Sequence, residues 1–148
     1  MKLLVNKATP AAIAILRQAT AISPKRKKAS DGLLPSRAHL SKSPDSDHNT
    51  GLATDLTDDP ANGIDCAIIF TKLQDDERVK YLIFKGRIWS KEKGNRPYTG
   101  SNPHNKHLHI SIKAAFANDK SNWFAFMPKP KAINKVKAAV RVLPKKKA

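Results

Sequence analysis

The sequence predicts an α+β fold built on a small antiparallel sheet, and three observations carry that prediction. A capped segment with helical apolar spacing lies near the N-terminus, two β-rich runs meet at Lys85-Gly86, and a six-residue alternating run ends at Ile112. Between them lie two long segments rich in Pro, Gly, Ser and Asn, the composition of loops.

Taken in order, Thr9-Pro10 is a helix start, with a hydroxyl for the cap and a fixed φ at the first helical position. Ile13, Leu16 and Ile22 follow at near-helical spacing until Ser23-Pro24 stops the pattern. Lys25 to Asp47 has loop composition, and so long a connection inside a compact domain is expected to serve function. From His48 to Leu56 the expected structure is a turn at Asn49-Thr50-Gly51 between two short strands. Ile64 to Leu73 has the apolar density of a helix, and Val79 to Phe84 with Arg87 to Trp89 forms a hairpin. Asn95 to Lys106 is expected to be a second long loop. His107 to Ile112 ends the series as a strand, whose period of two places His107 and His109 on one face.

A chain of 148 residues fits one domain. That domain is expected to span residues 1 to 128, with a basic tail from 129 to 148. In the tail Ile133, Val136, Val140 and Leu143 recur near helical spacing among lysines, which suits either a helix lying on an anionic membrane or a terminal helix packed on the domain. Net charge is +16 but unevenly spread: Met1 to Ser43 has nine basic residues against one acidic, Lys113 to Ala148 ten against one, and Pro44 to Ile112 nine against ten. Basic ends attract polyanions of any class, so charge alone names no partner. Cys66 is the sole cysteine, which excludes an internal disulfide, and it is expected to be a buried small side chain. The apolar run after Lys2 is too short for a signal peptide and no run approaches bilayer length, so synthesis in the cytoplasm is expected.

Chemistry concentrates in the histidines. Four of the five fall in three short windows, at His48, at His104, and at His107 and His109. A catalytic zinc typically takes three nitrogen or oxygen ligands and keeps a fourth position open. His48 and Asp55, seven apart across a Gly turn, can project into one space, and His109 completes an imidazole, carboxylate, imidazole set.

The pattern Ser46-x-His48-x-x-Gly51-x-Ala53-x-Asp55 resembles, at every fixed position, the zinc motif of the D-Ala-D-Ala carboxypeptidase family, and His107-x-His109 resembles the second motif of its lysostaphin-like and hedgehog-fold relatives. Ser30-Asp31-Gly32, Arg96-Pro97-Tyr98-Thr99-Gly100 and His104-x-x-His107 extend the likeness to the phage and prophage peptidases of this fold, over roughly 60% of the chain. The resemblance implies a hedgehog-type sheet carrying Zn2+ on His48, Asp55 and His109, with His107 as the catalytic residue beside them, and an endolysin that hydrolyses an amide bond in peptidoglycan. One position departs from the pattern. Carboxypeptidase members carry a catalytic Glu three residues before the last His ligand, where this chain has Lys106, so His107 or an acid elsewhere must act as base.

Around that centre, Arg26 and Arg96 are candidates to face a developing oxyanion, along with Arg37. His39 and His104 are candidates to hydrogen-bond the ligands, and Asp47 to orient its neighbour His48. The expected partners are peptidoglycan peptides and, through the basic termini, an anionic bacterial envelope reached after release from the host cytoplasm. No specific nucleic acid is expected, and the chain is expected to act as a monomer. Two other classes stay open at this stage: a basic metal-dependent nuclease, and a non-catalytic metal-binding phage protein.

Overall fold

A computed structural model describes residues 7–36, 43 and 45–128. The amphipathic tail, Arg37 and His39 lie outside the described residues. Five strands form one antiparallel sheet in the order β1-β5-β2-β3-β4: β1 is Ala53–Thr57, β2 Val79–Phe84, β3 Arg87–Ser90, β4 Gly94–Pro97 and β5 His107–Ile112. Helices α1 (Pro10–Ile22) and α2 (Cys66–Lys72) pack against one face of it.

Helix α1 begins where a cap and Pro dictate, with the Thr9 hydroxyl accepting from the Ala12 amide. Its buried side is mostly alanine, at Ala11, Ala12, Ala14 and Ala19, so the backbone lies close enough to β1 for the Thr54 hydroxyl to reach the Ala12 carbonyl at 2.8 Å. Helix α2 starts at Asp65, whose carboxylate accepts from the Ala67 and Ile68 amides. Leu56 of β1, Leu82 of β2 and Leu108, Ile110 and Ile112 of β5 then close the core with Ile69, Trp123 and Phe124. Each such buried side chain contributes about 1.5–3 kcal/mol. Cys66 is buried there too, its thiol 3.5 Å from the Leu56 carbonyl, and burial pushes that thiol far above its ordinary range. No helix among the described residues is long and apolar enough to cross a membrane.

Two local expectations are corrected. The stretch from His48 to Leu56 is not a turn between two strands, because Asp47–Thr50 is a 3-10 turn capped by Ser46, and only Ala53–Thr57 is a strand. The segment from Asn95 is not loop from its start, since Gly94–Pro97 pairs with β3 as the edge strand. An edge position is the place where a strand tolerates Pro97.

Candidate metal centre

Each fixed position of the Ser46 to Asp55 pattern has a structural task. Ser46 Oγ accepts from the His48 amide and opens the 3-10 turn. Gly51 ends it at φ 74°, and a side chain there would meet the Lys7 carbonyl oxygen at 2.9 Å. That contact exists because the start of α1 docks on the turn, with the Thr9 amide and hydroxyl both reaching the Gly51 carbonyl. Ala53 is fully buried at the head of β1, and Asp55, two residues on, faces away from the core. Antiparallel register sets Asp55 directly opposite His109, with Thr57 opposite His107. On the far side of Asp55, Gly32 makes two backbone hydrogen bonds with it, and a side chain at Gly32 would stand 3.1 Å from the carboxylate.

Three imidazoles converge on one carboxylate oxygen. His48 Nε2 lies 3.1 Å, His109 Nδ1 3.2 Å and His107 Nε2 3.6 Å from Asp55 Oδ1. The other nitrogen of each buried ring is already committed. His48 Nδ1 donates to the Leu33 carbonyl at 2.7 Å, and His109 Nε2 meets the Ser111 hydroxyl at 2.7 Å. With His48 Nδ1 carrying its proton, the Nε2 of a neutral ring turns a lone pair toward a carboxylate that has no proton to donate. Two electron-rich atoms facing each other at that distance call for a cation or a proton between them. Burial works against charge on Asp55, but hydrogen bonds from His109 and His48 outweigh it and hold the carboxyl far below the usual range. Burial likewise opposes the His48 imidazolium, and the bond and charge of Asp55 outweigh it and raise that group. Asp55 thus keeps its negative charge at the point where the rings converge, which is where a cation would be attracted.

His48, Asp55 and His109 offer ligand atoms that all lie within 4.8 Å of one another, a group that can hold a metal ion. The two separations to Asp55 Oδ1, 3.1 Å and 3.2 Å, are near the roughly 3.3 Å expected between two ligand atoms of a tetrahedral ion bound at about 2.0–2.1 Å. The donor set and its spacing therefore fit such an ion.

Residues 5–109 match the family described as VldE, C-terminal domain. The chain belongs to that family. The VldE match takes in 105 of 148 residues and the whole of the His48, Asp55 and His109 group, ending at its last member. Neither a curated protein nor a solved structure matches the chain.

Beyond the three donors, the VldE-type chain has an open cavity of about 530 Å³ on the same face of the sheet, walled by His107, His104, Tyr81 and Tyr98. Burial, with the charges of His109 and His48, outweighs the pull of Asp55 and pushes the His107 imidazolium below its ordinary value. His104 enters the cavity wall, but its Nδ1 bonds to the Asn102 carbonyl and not to a ligand. Two of the expected oxyanion cations are elsewhere. Arg26 is buried in a two-pronged pair with Asp31 at 2.7 and 3.0 Å, and Arg96 reaches Gly94 and Ser90 along the sheet edge, so neither lines the cavity. Asp47 is held by the Lys80 ammonium at 3.1 Å, and its charge helps raise His48. Sequence reasoning missed Ser111, the Leu33 carbonyl, and Tyr81, whose ring stacks on His109 with centroids 5.3 Å apart. Alternation along β5 was the available signal for Ser111, two residues from His109.

Proposed function

We propose that this chain is a zinc-dependent peptidase that hydrolyses an amide bond in peptidoglycan stem or cross-link peptides, as a phage endolysin does. The supporting observation is a three-donor set of two imidazoles and one carboxylate that opens on a cavity with a third imidazole, His107, beside it. Nitrogen and carboxylate donors of this kind suit zinc, and three protein ligands leave a position for water. A bound zinc supplies an activated water, its pKa lowered toward about 7, and a Lewis acid for the scissile carbonyl.

The chain's own residues do the rest. His48 and His109 are locked in orientation by the Leu33 carbonyl and Ser111, so neither must reorganise when substrate arrives. His107 stands on the cavity side, its Nε2 3.6 Å from Asp55 Oδ1, and takes the proton of the attacking water. That assigns to an imidazole the task a Glu performs in carboxypeptidase relatives, and Lys106 at the Glu position is exposed. The same His107, once protonated, is placed to return its proton to the departing amine. The basic termini hold the enzyme to an anionic envelope.

Mass spectrometry of muropeptides from purified sacculi tests this reading. Wild type is expected to release fragments with a new amine and a new carboxyl end. His48→Ala releases none and loses its metal, while His107→Ala releases none and keeps it. Sacculi left intact by a zinc-loaded wild type would contradict the assignment.

A further inference from the structure

The wall of the cavity opposite β1 is held in an unusual way. His104 has φ 61°, a left-handed backbone uncommon for a residue with a side chain. Its loop is fastened to the β2–β3 turn, where Lys85 and Gly86 themselves have φ 46° and 76°. Three backbone hydrogen bonds make the joint: Lys85 amide to His104 carbonyl at 3.0 Å, Gly86 amide to Pro103 carbonyl at 2.9 Å, and Tyr98 amide to Gly86 carbonyl at 2.8 Å. A hairpin turn would normally spend those groups on water. Strained conformations persist where surrounding bonds over-determine them, and they gather at functional sites.

The joint fixes one ring. His104 Nδ1 lies 2.7 Å from the Asn102 carbonyl, which can only accept, so Nδ1 carries the proton and Nε2 holds a lone pair. The ring packs at steep angles against His107, with centroids 4.9 Å apart, against Tyr98 at 5.6 Å and against His109 at 5.8 Å. It is not one of the three donors of the metal group. An acceptor is therefore presented to the cavity, within one ring of the proposed base, by a backbone that costs energy to hold.

We infer that His104 is a substrate-binding residue, whose Nε2 receives a hydrogen bond from an N–H of the peptide next to the scissile amide, and that the Lys85-Gly86 turn is the positioning element that aims it. This rests on the peptidase reading above and adds a residue to it. Acceptance of an N–H selects an amide over an ester at that point of the cavity. Because the bond exists before and during reaction alike, it contributes to binding more than to the chemical step.

The test uses the full chain and a soluble cross-linked muropeptide dimer. His104→Asn keeps a residue type that tolerates the left-handed backbone but is too short to reach. It is expected to raise KM about tenfold, the scale of one lost hydrogen bond, with kcat within about threefold and zinc content and Tm unchanged. Gly86→Ala, which meets no neighbouring atom but strains the turn, moves KM the same way by less. A readout without turnover comes from long-range 1H–15N spectra of metal-free wild type, in which the dimer shifts the His104 Nε2 signal. An unchanged KM with an unmoved signal, a fall in kcat alone, or loss of zinc or Tm in His104→Asn each overturns the inference. A wild type that binds the dimer through Nε2 but never cuts it contradicts the peptidase reading and leaves His104 as a binding residue.

Discussion

On β5, Leu108, Ile110 and Ile112 point into the core while His107, His109 and Ser111 take the opposite face, where the two histidines line the cavity, and different forces hold the two rows. The core row is non-directional: any apolar group of matching volume keeps most of its free energy. The cavity row is directional, since His109 works only with one nitrogen toward Asp55 and the other on Ser111. One strand thus carries both a stability element and a chemical one, separable by a single residue step.

Substitutions that strike one row and spare the other sharpen this contrast. The largest effect is expected from Asp55→Ala, which removes the atom on which three imidazoles converge. Zinc affinity should fall by more than about a hundredfold and muropeptide release below detection, with far-ultraviolet circular dichroism unchanged. Next comes Ile110→Ala in the core row, fully buried at 0% exposure. Urea unfolding should show a loss of about 2–5 kcal/mol, while the folded fraction binds zinc as wild type does. Ser111→Ala leaves the His109 ring without its anchor and should weaken zinc about ten- to a hundredfold in a chelator competition. The smallest effect lies outside both rows. The Asp31 carboxyl is driven up by burial, but bonds from Arg26 and Thr57 outweigh this and hold it below its ordinary value. Its stabilisation is therefore present above the unfolded pKa of about 4 and is lost as pH falls through the lower folded value. Asp31→Asn should flatten the acid limb of stability against pH, measured by urea unfolding from about pH 6 down to about pH 3.

What was legible in the sequence divides along the same line. Helix α1 and the β2–β3 hairpin were readable because Thr9-Pro10, Ser23-Pro24 and Lys85-Gly86 act locally. His48, Asp55 and His109 were readable because their spacing survives as a pattern, and the Gly51 and Ala53 positions are explained by the docking of α1 and the burial of β1. Strand β4 was not, since Gly94, Asn95, Arg96 and Pro97 are poor strand formers held by edge pairing to β3. The 3-10 turn at Asp47 escaped because its Ser46 cap also fits a loop. Arg26 offered no sign that Asp31, five residues on, would take its charge. Tyr81 joins His109 only through the β2–β5 register, a pairing across nearly thirty residues that no local pattern states.

Metal content tests the His48, Asp55 and His109 centre most directly. The full chain and Asp55→Ala are to be exposed to equimolar zinc, dialysed, and measured by inductively coupled plasma mass spectrometry. The expected result is about one zinc per wild-type chain and almost none in the variant. A wild type that retains no zinc, or a variant that retains as much, would contradict it.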